Sequence, residues 1–246
     1  MNNNYEATSD NGVHISLDTF VGQQKLTELL KVSISAAKMR GEALSHVLLT
    51  GPRGSGKSTL ATVIAQELGV NVRAISFNMV KKASDLAAIL TNLCEGDVLL
   101  VENFDSIKND CIEVLSTAMD GFYMDVVIGK GPAARSIRIE LPRFTVIATM
   151  DVPKALPNQL MSCFLITWKM EDYTLDELKE LACRCAVQLN VSITDEASEE
   201  IAKRSQGSYR QLTKMMKRAR DFATVKGNGV IDSGVLQANY SFDFFD

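Results

Sequence analysis

The sequence predicts an α/β fold in which a parallel sheet is sandwiched by helices, followed by a small domain made only of helices. Two patterns lead to this prediction. Up to about residue 168, short apolar segments alternate with segments of helical spacing, which is typical of strand–helix–strand units. Beyond residue 169 the strand-like segments stop, and helical segments follow one another directly.

The composition fits one large domain or two modest ones with a true core. The chain has 246 residues, of which 46% are apolar and 23% charged. It has no apolar run of about 18 residues, so no membrane span is expected, and its polar start lacks the regions of a signal peptide. The five cysteines form no repeated C-x-x-C pairs, which favours reduced thiols in a cytoplasmic protein. A net charge of −4 gives no general attraction to nucleic acid, so DNA binding would need a local basic patch.

The first predicted elements surround a glycine-rich loop. Residues 17–40 have apolar residues at helical spacing, and Gly41 is a suitable residue to end that helix. The apolar segment 46–50 predicts a short buried strand that runs directly into the loop. A helix is predicted over 57–68, and Gly69 ends it.

The alternation continues beyond this loop. We predict strands at 70–77, 98–101 and 144–150, and helices at 85–93 and 109–120. Residues 124–144 contain two alternating segments around a Gly/Pro/Ala tip, which is typical of a β-hairpin. The helices predicted for the second domain cover 174–189, 194–205 and 209–226.

The loop itself, GPRGSGKS at 51–58, matches the phosphate-binding pattern G-x-x-x-x-G-K-[ST] at every fixed position. Glycines allow successive backbone N–H groups to face one anion, and the following helix adds the positive end of its dipole. By this pattern Lys57 reaches the terminal phosphates and Ser58 holds Mg²⁺. A chance glycine-rich turn is the alternative, but the flanking strand and helix favour nucleotide binding. The candidate nucleotide-binding residues of the loop are Gly51, Pro52, Arg53, Gly54, Ser55, Gly56, Lys57, Ser58 and Thr59.

Four segments, one of which contains this loop, narrow the class of nucleotide-binding protein. They are GEALSHVLLTGPRGSGKSTLA (41–61), DLAAILTNLCEGDVLLV (85–101), VVIGKGPAARSIRIELPRFT (126–145) and RARDFA (218–223). These segments closely resemble the RuvB family of AAA+ ATPases, the bacterial motors that drive branch migration of Holliday junctions. The similarity runs from about Leu17 to about Gly229. Its most specific part, the GKGP-x-ARSIR hairpin, argues against a clamp loader or another P-loop ATPase.

The resemblance implies a domain organisation and partners. It implies a nucleotide-binding AAA+ domain at 17–168 and a helical lid domain at 169–236, and the residues outside them indicate a flexible N-terminus at 1–16 and a C-terminal tail at 237–246. It also implies that ATP binds between neighbouring subunits of a hexameric ring. A RuvA-like partner would contact the hairpin around Lys130–Arg138.

The resemblance assigns roles to residues outside the loop. Thr149 falls at the sensor-1 position, where a polar residue ends a strand. Arg210 corresponds to the lid arginine that reaches the γ-phosphate, although a surface arginine in a first helical turn is the other interpretation. Glu102 stands where the family has the magnesium-side aspartate. Ser58 and Glu102 are therefore the candidate Mg²⁺ ligands, because magnesium commonly keeps waters that can bridge the longer side chain.

The sequence departs from the family where hydrolysis is catalysed. Asn103 replaces the family's glutamate, and an amide can hydrogen-bond the attacking water but cannot accept its proton. Loss of a general base commonly costs about 10²–10⁴ in rate, so the catalytic set of Glu102, Asn103 and Thr149 is degenerate. Asp105 is an alternative base, but it would require a bent loop.

A second departure concerns the arginines that, in the family, reach the nucleotide of the neighbouring subunit. Met161, Ser162 and Cys163 occupy the corresponding L-R-D-R-F stretch. Arginine fingers are worth about 10³–10⁵ in related phosphoryl-transfer enzymes. Arg143 and Lys154 are the alternative sources of positive charge.

The two ends of the sequence also differ from the family. Val13 and His14 stand where the family has Arg-Pro beside the adenine. The family continues into a winged-helix DNA-binding domain, and no such sequence follows NYSFDFFD at 239–246.

Two further patterns concern basic and methionine side chains. A row of basic residues near one face of a predicted helix is either a solvated face or a contact for DNA phosphates; it comprises Arg210, Lys214, Lys217 and Arg218. The methionines expected to fill the core are Met39, Met79, Met119 and Met124.

We therefore expect a RuvB-like ATP-binding subunit of a Holliday junction branch migration motor in DNA recombination and repair, with impaired hydrolysis. The alternative is a non-catalytic scaffold or regulatory subunit of a RuvB-type or other AAA+ ring. Whether the protein is an ATP-hydrolysing helicase stays open at this point. The expected cofactors are ATP or ADP and Mg²⁺. The expected partners are RuvB-like subunits, a RuvA-like protein, and four-way junction or duplex DNA that is bound weakly.

Overall fold

The computed structural model describes residues 15–128 and 135–240 of the chain. Predictions about Val13, His14, the hairpin tip with Lys130 and the last residues of the tail lie outside the described residues.

The first part of the described chain alternates helices and strands, as the sequence predicts. In chain order its elements are α1 (Gln24–Arg40), β1 (Val47–Thr50), α2 (Lys57–Leu68), β2 (Val72–Ser76), α3 (Ala83–Leu90), β3 (Val98–Glu102), the 3₁₀ turn η1 (Phe104–Ser106), α4 (Asn109–Gly121), β4 (Tyr123–Ile128), β5 (Arg135–Glu140), β6 (Thr145–Met150), α5 (Asn158–Met161) and β7 (Ile166–Lys169). Five strands pair side by side in the order β2-β3-β6-β1-β7, and every pair is parallel. The predicted parallel sheet is therefore confirmed.

Helices cover both faces of this sheet because its central strands are apolar on both sides. On β3, Leu99 and Val101 belong to a core formed with α3 and α4, whereas Val98 and Leu100 belong to a second core formed with α1 and α2. Successive side chains of a strand point to opposite faces, so burial on both faces requires an uninterrupted apolar run.

The carboxyl ends of three strands meet at one edge of the sheet. The phosphate loop follows β1, and Glu102 is the last residue of β3. Thr149 lies near the end of β6, opposite Leu49 of β1. Residues that are far apart in the sequence therefore converge at this edge, which is where open parallel sheets bind ligands.

Some elements of this domain differ from the prediction. α1 begins at Gln24 and not at residue 17, because Gly22 and Gln23 have left-handed backbone conformations that a right-handed helix cannot contain. α5 and β7 were not predicted. β7 has only four residues, and it is defined by pairing with β1, which lies much earlier in the chain.

The methionine prediction is wrong for two of the four residues. Met119 and Met124 are buried, but Met39 and Met79 are 89% and 79% exposed. Met39 lies in the last turn of α1 away from its buried side, and Met79 lies in the turn after β2.

β4 and β5 form the predicted antiparallel hairpin, which is separate from the main sheet. Tyr123 pairs with Glu140 at the base of the hairpin. The Arg138 guanidinium lies 3.8 Å from the centre of the Tyr123 ring and forms an ion pair with Asp125. These contacts connect the two strands on the described part of the hairpin.

The second part of the described chain is a helical domain. Its elements are α6 (Leu175–Gln188), β8 (Ser192–Ile193), α7 (Asp195–Arg204), α8 (Tyr209–Lys226), β9 (Val230–Ile231) and α9 (Ser233–Tyr240). The predicted helices α6, α7 and α8 pack their apolar sides into one core. α9 and the short β8–β9 pair were not predicted, and α9 extends into the segment that we assigned to the tail. Nowhere in the described ranges is there a helix with the length and apolar character needed to cross a bilayer.

Candidate nucleotide-binding site

The phosphate loop adopts a conformation that requires glycine at two positions. Gly51 has φ 144° and Gly54 has φ 88°, both in the region that other residues rarely adopt. A Cβ atom on Gly51 would lie 2.6 Å from the Met170 carbonyl oxygen, and one on Gly54 would overlap the Ser208 hydroxyl. The loop is therefore in close contact both with the segment that follows β7 and with the lid domain.

Lys57 is buried at the start of α2, inside the curve of the loop. Its ammonium group donates hydrogen bonds to the Gly51 and Pro52 carbonyls, both at 2.8 Å, and lies 3.1 Å from Asp151 Oδ1. The other oxygen of Asp151 accepts a hydrogen bond from Arg53 Nε at 2.6 Å. Burial alone would raise the pKa of Asp151, but its bonds to Arg53 and Lys57 hold that pKa below the ordinary value. Asp151 is therefore an ionised partner shared by two cations.

Ser58 and Glu102 are brought together from the loop and from the end of β3. The Ser58 hydroxyl donates a hydrogen bond of 2.5 Å to Glu102 Oε1. A hydroxyl and a carboxylate side by side are the hard oxygen donors that Mg²⁺ prefers. This donor set fits the predicted magnesium site, and the extra methylene of glutamate does not prevent the approach.

Asn103 and Thr149 lie at the same edge of the sheet. Asn103 has a left-handed backbone (φ 53°), which asparagine tolerates better than most residues, and its Oδ1 accepts a hydrogen bond of 3.0 Å from the Ser76 hydroxyl. Thr149 is buried. Asp105 is not among the residues lining the cavity around Lys57, and its backbone carbonyl accepts a hydrogen bond from the exposed Lys154.

The lid domain contacts the loop through the start of α8. The Ser208 hydroxyl caps this helix and also donates to the Arg53 carbonyl at 3.3 Å. The next backbone N–H, that of Tyr209, donates to the Gly54 carbonyl at 3.1 Å. Arg210 therefore follows directly after the contact and lies beside the loop.

A polar cavity of about 730 Å³ lies between the loop, the strand ends and α8. Of the predicted site residues it is lined by Arg53, Gly54, Gly56, Lys57, Ser58, Thr59, Glu102, Asn103, Thr149 and Arg210. Gly51, Pro52 and Ser55 are not in its lining; Ser55 is buried, and its hydroxyl has no hydrogen-bond partner in the described part of the chain. The structure thus brings most of the predicted residues to one place.

Sequence reasoning missed several residues of this lining, namely Asn78, Asp151, Tyr209, Thr213, Lys214 and Lys217. The spacing of Arg210, Lys214 and Lys217 was a usable signal, because residues four and three apart share a helix face. The sequence predicts a solvated face or a DNA contact for this row, whereas in the structure three of its four members line the cavity. No sequence pattern indicated that Asp151 belongs to the site.

A second, more apolar cavity of about 300 Å³ adjoins the first one. Gly56, Thr59 and Tyr209 line both cavities, so they form one cleft. The other end of the cleft is lined largely by apolar and aromatic side chains from both domains, among them Ile15, Phe20, Val21, Tyr173 and Leu181. Burial raises the pKa of the Tyr173 hydroxyl, which therefore stays neutral. A polar end followed by an apolar end matches the chemistry of a nucleotide, with phosphates at one side and a base at the other.

The positions where the family carries finger arginines are uncharged and partly packed inward. Met161 packs against the core on the α4 side of the sheet. The Cys163 thiol donates to the Gln159 carbonyl at 3.2 Å, and burial raises the pKa of this thiol. The guanidinium of Arg143 lies over the ring of Phe122, 5.4 Å from its centre. Neither Arg143 nor Lys154 lines the cleft of its own chain.

These features define a P-loop nucleotide-binding protein with an AAA+ domain and a helical lid. Comparison with protein families identifies it further. The family description "Holliday junction DNA helicase RuvB P-loop domain" matches residues 14–176, and "RuvB AAA lid domain" matches residues 173–243. The chain belongs to the RuvB family, which confirms the resemblance seen in the sequence.

Solved structures give the same result. The structure of the Thermotoga maritima RuvB Holliday junction branch migration motor superposes with a TM-score of 0.82 at 37% identity, covering 92% of this chain and 71% of that chain. A single-residue variant of Thermotoga maritima RuvB gives a TM-score of 0.83 at 38% identity, and the match covers 92% of this chain and 72% of that chain. The P-loop domain of this ATPase family is a nucleotide-binding domain, in agreement with the geometry of the cleft.

Proposed function

We propose that this protein is an ATP-binding subunit of a RuvB-type motor for Holliday junction branch migration, and that its own hydrolysis is impaired. The observation that carries the proposal is the composition of the cleft. Lys57, Ser58 and Glu102 line one cavity and would hold phosphate and magnesium, whereas Asn103 lines the same cavity and would stand at the position of the general base.

The binding roles follow from chemistry at each end of the cleft. Lys57 and the backbone N–H groups of the loop would bind the phosphates, with Arg210 above them from the lid. Ser58 and Glu102 would hold Mg²⁺, which neutralises phosphate charge when bound. The aromatic and apolar end would take the base of ATP or ADP.

Impaired hydrolysis is supported at two independent positions. Asn103 can hydrogen-bond a water molecule but cannot accept its proton. At the finger positions, Met161 and Cys163 carry no charge and contact their own chain. Each loss is large by itself, about 10²–10⁴ for a general base and about 10³–10⁵ for an arginine finger.

The proposed partners follow from family membership and from the hairpin. We expect assembly with itself or with RuvB-type subunits in a hexameric ring, and action on four-way junction or duplex DNA in recombination and repair. The hairpin forms its own two-stranded sheet, and Ile137 is 48% exposed on it. This supports the hairpin as the contact for a RuvA-type protein.

A second candidate function is a non-catalytic scaffold or regulatory subunit of a RuvB-type ring. It is favoured by the inward contacts of Met161 and Cys163, since a subunit without finger arginines cannot complete its neighbour's site. Both candidates bind nucleotide; they differ in whether the chain itself hydrolyses ATP slowly or not at all.

The first experiment measures ATP affinity and steady-state turnover on one preparation of the purified protein. Turnover is recorded alone and with four-way junction DNA and a RuvA-type protein. We expect ATP binding that Lys57→Gln abolishes, together with slow turnover that the partners do not stimulate. Strong stimulation by DNA would overturn impaired hydrolysis, and absence of nucleotide binding would overturn the proposal as a whole.

A further inference from the structure

Three basic side chains on one face of α8 line the phosphate end of the cleft. Arg210, Lys214 and Lys217 share the polar cavity with Lys57. A helix rises 1.5 Å per residue, so the row extends over roughly 10 Å. It begins beside the phosphate loop and continues along the cavity wall, which also contains Asn103, the residue after β3.

The start of this row is held in place by the lid's contact with the loop. The N–H of Tyr209 donates to the Gly54 carbonyl, and the Ser208 hydroxyl donates to the Arg53 carbonyl. Lys214 follows about one turn after Arg210, and Lys217 about two turns after it. The two lysines therefore reach the cavity from the lid side, opposite the loop that carries Lys57.

The cavity has an excess of positive charge. Among the described residues that line it, the cationic ones are Arg53, Lys57, Arg210, Lys214 and Lys217, and the carboxylates are Glu102 and Asp151. Asp151 pairs with both Arg53 and Lys57, so it offsets part of the charge that the loop provides. The lid row supplies three of the five cations that line the cavity.

We infer that Lys214 and Lys217 bind the terminal phosphate of ATP within the same chain. This inference rests on the proposed function as an ATP-binding subunit. The two lysines bring positive charge from the lid to the site of their own chain. Together with Arg210, the two lysines make preference for ATP over ADP a property of one chain.

The test compares affinities for ADP and for a non-hydrolysable ATP analogue in Lys214→Gln/Lys217→Gln. Titration calorimetry is performed at concentrations where sedimentation shows a monomer. We expect the variant to bind the ATP analogue about tenfold or more weakly, because charge-assisted contacts to phosphate are lost. Affinity for ADP should change much less.

Two control variants separate phosphate binding from general effects of charge and folding. Lys203→Gln/Lys226→Gln removes the same charge from exposed lid positions outside the cleft, and should bind like the wild type. Lys214→Arg/Lys217→Arg keeps the charge and should retain the preference for the ATP analogue.

The outcomes separate this inference from the proposed function. If the wild-type monomer binds both nucleotides equally, the inference is overturned while nucleotide binding stands. The same holds if the glutamine variant matches its charge control, or loses ADP and ATP affinity alike. If the wild type binds neither nucleotide, the proposed function fails and the inference fails with it.

Discussion

The side chain of Asn103 lies at the end of β3, within hydrogen-bonding distance of Ser76 and on the wall of the polar cavity. Replacing it by glutamate returns a proton acceptor to this place. We expect Asn103→Glu to raise the steady-state rate of ATP hydrolysis by about tenfold or more, which is below the full effect of a general base because the finger arginines are still missing.

The matched control for this change is Asn103→Gln. Glutamine has the length of glutamate and experiences the same left-handed backbone, but its amide cannot accept a proton. An equal rate in the two variants would show that the limiting defect lies elsewhere, for example at Met161 and Cys163.

At the level of single residues, the sequence predicted the contiguous part of the site and missed the part assembled by folding. The loop residues could be predicted because one motif contains them all. Asp151 could not, since its role depends on a loop and a strand end that are about a hundred residues apart in the chain. Lys214 and Lys217 were noticed as a basic row, but only the position of the lid determines what that row faces.

Among the elements, α8 and the phosphate loop make the contact that closes the polar cavity. A Cβ atom on Gly54 would overlap the Ser208 hydroxyl and lie 3.1 Å from Arg210 Cβ. We expect Gly54→Ala to displace the start of α8 and to weaken ATP binding by about tenfold or more, a loss of about 1.4 kcal/mol. Calorimetric titration measures this change.

Gly69→Ala provides the control for Gly54→Ala. Gly69 ends α2 with φ 76°, so alanine experiences similar backbone strain there, but a Cβ atom at Gly69 meets nothing within 4 Å. Both variants should lose some stability, about 1 kcal/mol. If Gly69→Ala weakened ATP binding as much as Gly54→Ala, strain and not lid contact would be the cause.

The elements themselves were predicted most accurately where local signals are strong. The bounds of α2 agree with the predicted 57–68, because the phosphate motif starts this helix and Gly69 ends it. β7 and α9 were missed, since both are short and their stability comes from distant partners in the chain.

For the whole molecule, buried His46 couples stability to pH. Its Nδ1 accepts a hydrogen bond of 2.8 Å from the Val146 N–H, and its Nε2 donates to the Met119 carbonyl at 3.0 Å. The ring is therefore neutral in the folded state. Burial lowers its pKa below the ordinary value of 6.5, although the Met119 bond partly opposes this shift.

The sign of the effect follows from linkage. With the folded pKa depressed, stability is fully present above the unfolded pKa of about 6.5 and is lost as the pH falls from there towards the folded pKa, by up to about 1.4 kcal/mol per unit. We expect the melting temperature to drop by a few degrees between pH 7 and pH 5.5. His46→Gln should have a lower melting temperature than the wild type, and this temperature should change less between pH 7 and pH 5.5.

The other histidine of the chain, His14, supplies the control. His14→Gln should leave the pH profile of melting unchanged. A profile that became flat in His14→Gln and stayed steep in His46→Gln would contradict the assignment to His46.

The segment after β7 attaches the lid to the phosphate loop. Met170 donates its N–H to the Thr50 carbonyl at 2.7 Å, and its own carbonyl occupies the space beside Gly51 where a side chain would otherwise lie. The lid begins a few residues later, at Leu175, and touches the loop again through Tyr209. Both contacts are made to one short loop, so they link the position of the lid to the conformation of that loop. We therefore expect a displacement of the lid to change the position of the phosphate loop.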